Sequence, residues 1–392
     1  MDSIVKREML SARVRSIKPS GIRKYFDIAA TMADVISLGV GEPDFVTPEH
    51  IREAAIEAIR HGDTKYTSNY GTLELRRAIA EMLSERYHVT YDPKTEILVT
   101  VGVSEGIDAA IRAVIDPGDE VIVPDPGYVA YEADIALSDG VVVPVPTSVD
   151  HNFEIKAAAI EAAVTPRTKA MLLGNPSNPT GAVIERAELE KIAQVAQRHD
   201  LIVITDEVYS RLVYGGHDHS SIAEVPGMRE RTILVDGFSK AYAMTGWRVG
   251  YIAAPAHLLE AMLKVHQYAI MCAATMSQAA ALAALRTGAD DVRAMVASYD
   301  ERRKLAVDGF NAIGLACYEP KGAFYAFPSI RSTGLSSDEF VDQLLREQQV
   351  AAVPGSAFGH AGEGYIRCTY CTARDKLEEA IERIGRFVKA HS

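Results

Sequence analysis

The strongest constraint on the fold is a series of short apolar runs between Glu96 and Ala254. Most of the runs are separated by helix-length segments of mixed polarity, and this alternation predicts a mainly parallel sheet with helices on both faces. The last two runs lie only about a dozen residues apart, too close for a helical crossover, so the final strand should be antiparallel. The runs are ILVTV (97–101), VIV (121–123), VVVPV (141–145), AMLL (170–173), LIVIT (201–205), TILVD (232–236) and VGYIAA (249–254). We therefore predict an α/β fold with one mostly parallel seven-stranded sheet.

The regions around this sheet have helical patterns. The triplet Thr47-Pro48-Glu49 is typical of a helix start with Thr47 as the N-cap. A helical region from Ala256 to Phe310 should break near Thr287-Gly288. Its most apolar window, Tyr268 to Leu285, contains Ser277 and Gln278, so we interpret it as a buried helix and not as a membrane span. We predict that residues 1–45 form an N-terminal arm and part of a small domain, that residues 46–290 form a large domain, and that residues 291–392 form the smaller α+β domain.

Composition and charge argue against several classes of protein. The chain has 392 residues, of which 48% are hydrophobic, and a formal net charge of −12 at pH 7. Nucleic acids and anionic membranes bind basic patches, so neither is an expected partner. The first residues, MDSIVKREML, lack the apolar core of a signal peptide, and we expect a cytoplasmic protein.

Cysteine and histidine spacing indicates neither a disulfide framework nor a metal site. Four cysteines in a chain of this length are too few for a disulfide scaffold. Cys368 and Cys371 form a CxxC pair, and His217 and His219 form an HxH pair, but neither pair has the further ligands that a metal requires. We therefore predict no metal.

Polar and aromatic residues follow several of the predicted strands. In open parallel sheets, ligands bind beyond the carboxyl ends of the strands, so these residues should share one edge. Glycine followed by free backbone N–H groups at a helix start suits a phosphate group. Each feature alone is more often structural, and the Asn- and Pro-rich segment could be turn chemistry. The residues are Gly102-Val103-Ser104, Tyr128, the segment GNPSNPTG (174–181), Asp206 with Tyr209, and Ser239 with Lys240.

Together these groups suit pyridoxal 5′-phosphate. Its aldehyde forms a Schiff base with a lysine, for which Lys240 is the candidate. Its ring nitrogen stays protonated beside a carboxylate, and Asp206 can provide one. Its phosphate requires a helix start and a cation, and Arg248 follows Lys240 closely in the chain. We therefore predict pyridoxal phosphate as the cofactor.

Six motifs follow one another along nearly the whole chain. They are GEPDF (41–45), KYTSNYG (65–71), NPSNPTG (175–181), DEVY (206–209), FSK (238–240) and GWRVGY (246–251). In this order and spacing they resemble the motifs of the class I and II aminotransferases, which are pyridoxal-phosphate enzymes of fold type I. The resemblance implies a large domain with a mostly parallel sheet, a smaller α+β domain, and a homodimer with shared active sites.

The resemblance also implies roles for the residues around the cofactor. Lys240 would form the Schiff base and move the proton between Cα of the amino acid and the cofactor. Asp206 would pair with the pyridinium nitrogen, and Tyr209 and Asn178 would hydrogen-bond the phenolate oxygen. Tyr128 would stack on the ring.

Further roles concern the phosphate and the substrate. The implied phosphate ligands are Gly102, Val103, Ser104, Ser239, Arg248 and, from the neighbouring subunit, Tyr66. Arg367 would hold the substrate α-carboxylate in a fork of two hydrogen bonds. The implied substrate contacts also include Gly41, Tyr128 and Asn178.

The expected reaction is a ping-pong transfer of the amino group of an L-amino acid to a 2-oxo acid, with 2-oxoglutarate as the expected acceptor. Some aspartate-specific relatives carry a lysine just after the phosphate-turn glycines, where this chain has Gly102-Val103-Ser104-Glu105. Aromatic, neutral and aspartate donors therefore all stay open. A β-lyase on the same fold is an alternative, because it begins with the same proton removal. A non-catalytic ligand-sensing domain is a second alternative, which the lack of a helix-turn-helix pattern ahead of the domain disfavours.

Overall fold

The computed structural model describes residues 9–17, 21, 32 and 34–391, and its largest element is a seven-stranded sheet. The strands of this sheet are β2 (Ile97–Thr100), β3 (Glu120–Asp125), β4 (Val141–Pro146), β5 (Thr168–Gly174), β6 (Ile202–Asp206), β7 (Thr232–Gly237) and β8 (Gly250–Ala253). They lie in the order β2-β8-β7-β6-β5-β3-β4. β8 is antiparallel to both of its neighbours, and the other neighbouring pairs are parallel. The predicted α/β class and the antiparallel final strand are confirmed.

Helices connect the strands and cover both faces of this sheet. The α-helices within the described ranges are α1 (Ala12–Ser16), α2 (Glu49–His61), α3 (Leu73–Tyr87), α4 (Gly102–Val114), α5 (Val129–Leu137), α6 (Ala157–Ala163), α7 (Arg186–Arg198), α8 (Ala256–Ala269), α9 (Thr275–Thr287), α10 (Ala289–Ala312), α11 (Ser337–Gln348) and α12 (Arg374–His391). The predicted break at Gly288 is confirmed, because it separates α9 from α10.

The central strands are buried on both faces because neighbouring residues of a strand point in opposite directions. Val203 belongs to a buried cluster with Leu189 and Ile192 of α7, whereas Ile204 belongs to a different cluster with Ile107 of α4. Burial of each such side chain contributes about 1.5–3 kcal/mol. The two layers of helices thus hold the sheet as a rigid base for the residues at its edge.

The carboxyl ends of the parallel strands bring distant segments of the chain together. Gly174, at the end of β5, is paired in register with Asp206, at the end of β6. β7 lies on the other side of β6 and ends at Gly237. The NPSNPTG, DEVY and FSK motifs therefore leave the sheet side by side.

A second packed region follows α9. Phe310, Phe340, Leu344 and Phe387 form part of one buried cluster between α10, α11 and α12. Two small sheets accompany these helices: β1 (Ile36–Ser37) pairs with β10 (Val350–Ala351), and β12 (Ile366–Thr369) lies between β9 (Tyr325–Ala326) and β11 (Val353–Pro354). The pairing of β1 with β10 joins the N-terminal segment to this region. The domain boundaries near residues 45 and 290 stay a prediction.

The predicted single helix from Tyr268 to Leu285 is wrong. α8 ends at Ala269 and α9 begins at Thr275, and Tyr268 is 87% exposed. α8 packs against α4, whereas α9 packs against α2 and α3, so the chain has to turn between two packing surfaces. Local hydropathy does not indicate such a turn.

Among the described residues, none of the helices has the length and apolar character that a membrane span requires.

The start of α2 differs from the prediction by one residue. The N-cap is Pro48 and not Thr47, and it provides no side-chain hydrogen bond. The Thr47 hydroxyl instead donates to the carbonyl oxygen of Ala243 at 2.5 Å and accepts from Nε1 of Trp247 at 2.9 Å. The two hydrogen bonds of Thr47 therefore connect the loop after Lys240 to the segment that precedes α2.

Candidate active site

A cavity of about 390 Å³ lies at the carboxyl edge of the seven-stranded sheet. Every predicted site residue lines it except Gly102 and Tyr66. The predicted residues that line it are Gly41, Val103, Ser104, Tyr128, Asn178, Asp206, Tyr209, Ser239, Lys240, Arg248 and Arg367. The sequence did not single out four further polar residues that line it, namely Glu42, Tyr131, Thr245 and Tyr325.

Lys240 places its amine inside this cavity. The residue follows β7 closely, and its Nζ donates to the carbonyl oxygen of Gly41 at 2.7 Å. The ammonium also lies 5.9 Å from the ring centre of Tyr209 and 5.7 Å from that of Phe324. Burial lowers the pKa of Lys240 from 10.5 to about 8. A useful fraction of the amine is therefore neutral, and so nucleophilic, near physiological pH.

Asp206 is a buried carboxylate with a fixed orientation. Its Oδ2 accepts a hydrogen bond from the Tyr131 hydroxyl at 2.8 Å, and its Oδ1 accepts from the backbone N–H of Val208 at 3.2 Å. Burial raises the pKa of Asp206 to about 6, and these two donors oppose the rise. The carboxylate is therefore mostly ionised at neutral pH and can face a cationic ring nitrogen.

Tyr131 is a site residue that the sequence reasoning missed. It lies in the first turn of α5, three positions after Tyr128, and the two rings make an edge-on contact at 5.5 Å. Residues three apart on a helix are neighbours, so this spacing was the available signal. Burial raises the pKa of Tyr131 well above its usual range, so its hydroxyl stays protonated and donates to Asp206.

Arg367 carries a buried positive charge with one N–H group unpaired. The residue is 2% exposed, its Nη1 donates to Oδ1 of Asn178 at 2.9 Å, and its Nη2 donates to the carbonyl oxygen of Gly39 at 2.6 Å. Its Nε has no hydrogen-bond partner among the described residues. Because a buried donor without a partner is costly, this guanidinium suits an anionic ligand group.

The start of α4 forms an anion-binding corner with Arg248. Gly102 has a φ of 75°, and the N-terminal end of the helix concentrates free N–H groups and positive dipole at Val103 and Ser104. The exposed guanidinium of Arg248 packs directly against Gly102, where a Cβ atom would lie 2.7 Å from Nη2. Gly102 does not line the cavity, but its missing side chain allows Arg248 to reach this corner.

Glu105 is turned away from the cavity, although it follows the anion-binding turn. Its Oε2 accepts from the backbone N–H of Val101 at 2.7 Å, and its Oε1 contacts Nδ1 of His266 at 2.8 Å. His266 is fully buried on α8. Glu105 therefore connects the start of α4 to α8 by hydrogen bonds, and its carboxylate is not part of the cavity wall.

Tyr209 and Tyr325 meet in the cavity wall, where their hydroxyl oxygens lie 2.7 Å apart. Burial raises the pKa of both side chains, of Tyr325 to about 12 and of Tyr209 well above its usual range. Tyr325 was visible in the sequence only as part of the strand pattern GAFYAF, so nothing local indicated a role in the site.

Tyr66 does not reach the cavity of its own chain. Its side chain is 81% exposed in the KYTSNYG segment. The neighbouring carbonyl of Lys65 accepts a hydrogen bond from Thr275 at the start of α9. Tyr66 thus lies on the same surface as the turn between α8 and α9.

Other titratable residues near the motifs have separate structural contacts. Glu207 does not line the cavity, and its Oε1 accepts hydrogen bonds from Ser221 and Thr205. His219 is buried between the Tyr87 hydroxyl and a backbone carbonyl.

Within the described residues, no group of three or more His, Cys, Asp or Glu side chains could hold a metal ion. The four cysteines are free thiols.

The comparisons with known proteins all indicate the same family. The family model described as aminotransferase class I and II matches residues 33–384. An aspartate aminotransferase from Pyrococcus abyssi is 48% identical over 382 residues, which are 97% of this chain and 98% of that protein. Aromatic-amino-acid aminotransferase 2 from Thermococcus litoralis is 46% identical over 382 residues, with the same two coverages.

Solved structures agree with this result. The aspartate aminotransferase from Thermus thermophilus, solved with maleate, superposes with a TM-score of 0.92 at 38% identity, over 97% of this chain and 100% of that chain. The predicted fold type I architecture and the predicted aminotransferase activity are therefore confirmed. The chain belongs to the class I and II aminotransferase family.

Proposed function

We propose that this aminotransferase holds pyridoxal phosphate on Lys240 and transfers the amino group of an L-amino acid to 2-oxoglutarate in a ping-pong cycle. The observation that carries the proposal is the meeting of the Lys240 amine, the Asp206 carboxylate and the start of α4 in one cavity. Each of these three features, taken alone, could have a purely structural role. Together they match the aldehyde, the ring nitrogen and the phosphate of one cofactor.

The residues present fit the phosphate group. The N–H groups of Val103 and Ser104 lie at the positive end of α4, and Ser239 and Arg248 line the same cavity. The close packing of Arg248 on Gly102 supports this assignment, because it directs a cation to the helix end that already favours an anion.

The ring of the cofactor would be held by three polar contacts. Asp206, oriented by Tyr131, would keep a proton on the ring nitrogen. Tyr209 would donate to the phenolate oxygen. The Oδ1 of Asn178 already accepts from Arg367, which leaves the amide N–H groups of Asn178 to donate to the same oxygen. When bound, pyridoxal phosphate supplies the electron sink for the electron pair left at Cα after proton removal.

Lys240 would act as the base. Its pKa of about 8 makes the released amine a proton acceptor of suitable strength near neutral pH. It would accept the Cα proton of the amino acid and deliver it to the carbon by which the cofactor was attached. Because Lys240 has no other described hydrogen bond than the one to Gly41, little has to be broken for it to move.

Arg367 would hold the α-carboxylate of every substrate. Its guanidinium lines the cavity and is already held by Asn178 and Gly39, so it needs little reorganisation to bind a carboxylate. This contact does not select a side chain. It is compatible with aromatic, neutral and aspartate donors alike.

We propose a homodimer with shared active sites. The cations that line the cavity of the described chain are Lys240, Arg248 and Arg367, and each already has a role. Among the described residues, this wall therefore has no further cation for the second carboxylate of 2-oxoglutarate, which supports a contribution from another subunit. Exposed apolar side chains next to Lys65 and around the end of α8 offer contacts for that subunit, and the Lys65 carbonyl accepts a hydrogen bond from Thr275 just beyond this end. These side chains are Tyr66, Tyr268, Ile270 and Met271.

The proposal is tested with purified protein and pyridoxal phosphate. The protein should bind the cofactor with a visible absorption band and convert amino donors with 2-oxoglutarate into 2-oxo acids and glutamate. Lys240→Ala should lose both the band and turnover, because no other lysine of the described ranges lines the cavity. A matched control is Lys264→Ala, which removes an exposed lysine of α8 and should keep both properties. Full turnover in Lys240→Ala would refute the assignment.

The same experiment separates transamination from elimination. With an amino acid alone, a transaminase accumulates the pyridoxamine form of the cofactor, whose absorption differs from that of the pyridoxal form. A β-lyase instead releases ammonia without that accumulation. Sustained ammonia release without 2-oxoglutarate would replace the transfer reaction by the lyase.

A further inference from the structure

The contact between Tyr209 and Tyr325 has room for one proton between the two oxygens. At 2.7 Å the hydroxyls share a hydrogen bond in which one donates and the other accepts. Each hydroxyl has a single proton. If Tyr209 donates to Tyr325, it has no proton left for a ligand. If Tyr325 donates, the proton of Tyr209 is free to point elsewhere.

The surroundings of Tyr325 favour it as the donor. The guanidinium carbon of Arg367 lies 4.4 Å from the centre of the Tyr325 ring. A cation on the ring face stabilises negative charge on the phenol, and so makes the hydroxyl a stronger donor. The cation beside the Tyr209 ring is farther away, since the Lys240 ammonium lies 5.9 Å from the centre of that ring.

The position of the Tyr325 hydroxyl is fixed by close packing. A Cβ atom on Gly41 would lie 2.1 Å from this oxygen, so the hydroxyl rests against the backbone of the segment that accepts from Lys240. The bond to Tyr209 is the hydrogen bond that the described structure gives this hydroxyl. Among the described residues, Tyr209 is therefore the acceptor found for the Tyr325 hydroxyl.

We propose that Tyr325 is a positioning residue that donates its hydroxyl proton to the oxygen of Tyr209 and thereby directs the proton of Tyr209 into the cavity. The inference rests on the proposed function, because the group that receives the Tyr209 proton there is the phenolate oxygen of pyridoxal phosphate. A hydroxyl that accepts a hydrogen bond is polarised and donates more strongly. Tyr325 thus strengthens the contact between Tyr209 and the cofactor through its own hydrogen bond to Tyr209.

The test is a pH titration of the visible absorption of protein-bound pyridoxal phosphate. Donation to the phenolate oxygen stabilises the deprotonated chromophore. A weaker hydrogen bond from Tyr209 should therefore raise the pH at the midpoint of the absorption change. Tyr325→Phe keeps the ring beside Arg367 and removes only the hydroxyl. The pH midpoint should rise by roughly 0.1–0.7 pH unit, if cooperative strengthening amounts to about 10–30% of a charge-assisted hydrogen bond.

Two further variants show whether Tyr325 acts through Tyr209. Tyr209→Phe should raise the midpoint more than Tyr325→Phe does. In the double variant, the second substitution should add no further shift, because the route through Tyr209 is already gone. Tyr370→Phe is the matched control, since the buried Tyr370 hydroxyl donates to the carbonyl oxygen of Ala323, which Tyr214 also binds. Its midpoint should stay at the wild-type value.

Each outcome has a distinct meaning. A midpoint that stays unchanged or falls in Tyr325→Phe would overturn the inference, because a fall would mean that Tyr209 had been donating to Tyr325. Additive shifts in the double variant would overturn it as well. If the wild-type protein shows no pH-dependent band with pyridoxal phosphate, the proposed function itself fails.

Discussion

Arg367→Lys is the substitution that most directly tests how the cavity binds substrate. The lysine keeps the positive charge but replaces a planar fork by a single ammonium group. In the structure two nitrogens of the guanidinium donate to Asn178 at 2.9 Å and to Gly39 at 2.6 Å, and the residue also lines the cavity. One ammonium cannot hold both partners and a carboxylate in the same geometry.

The expected loss is one charge-assisted hydrogen bond to the substrate carboxylate. Such a bond is worth about 1.5–3 kcal/mol, which corresponds to a fall in kcat/KM of roughly 10- to 150-fold. Because the α-carboxylate is present in both the bound substrate and the transition state, most of the change should appear in KM. The unfolding free energy should also fall by about 1–3 kcal/mol, since Asn178 or Gly39 loses a buried donor.

The assay is steady-state kinetics with an aromatic, a branched and an acidic amino donor, each with 2-oxoglutarate. All three donors should lose kcat/KM by a similar factor, because all three have the same α-carboxylate. Arg331→Lys is the control, since Arg331 is exposed and its guanidinium lies 5.1 Å from the ring centre of Tyr365, outside the cavity. It should keep wild-type kinetics. A loss confined to one donor, or a loss under threefold, would refute the reasoning.

Three further predictions concern stability, phosphate binding and the reactive amine. Burial raises the pKa of Glu207 from 4.5 to about 8, so the folded protein binds an extra proton between these pH values and its unfolding free energy falls as pH rises. In urea unfolding, the stability of Glu207→Gln relative to wild type should therefore increase from pH 5 to pH 8.5. Gly102→Ala places a side chain at φ 75° and against Arg248, and should weaken pyridoxal phosphate binding roughly 5- to 30-fold, with pyridoxal unaffected in a fluorescence titration. Capture of pyridoxal phosphate by cofactor-free protein should speed up until about pH 8 and then level off in stopped-flow absorbance, because Lys240 is then neutral; a rate that still rises towards pH 10 would contradict the lowered pKa.

Local patterns predicted the elements that carry the site. Apolar runs of strand length located each of the seven strands to within a few residues. In the central strands, burial on both faces removes the need for alternation, whereas the edge strand β4 is mostly exposed or half-buried. The short link between β7 and β8 predicted an antiparallel strand through its length alone. Where packing partners decide the outcome, the patterns failed. The break between α8 and α9 arises because these helices pack on different surfaces.

The sequence by itself determined the reactive residues, and the tertiary structure decided how they are held. Lys240, Asp206, Asn178, Arg248 and Arg367 each lie in a short motif that is readable without coordinates. Their partners lie far away along the chain. Arg367 binds Asn178 across 189 residues, Lys240 binds Gly41 across 199, and Tyr209 meets Tyr325 across 116. No local period encodes such contacts, because they depend on which strand ends the sheet brings to one edge. The direction of the proton between Tyr209 and Tyr325 is therefore a property of the folded protein alone.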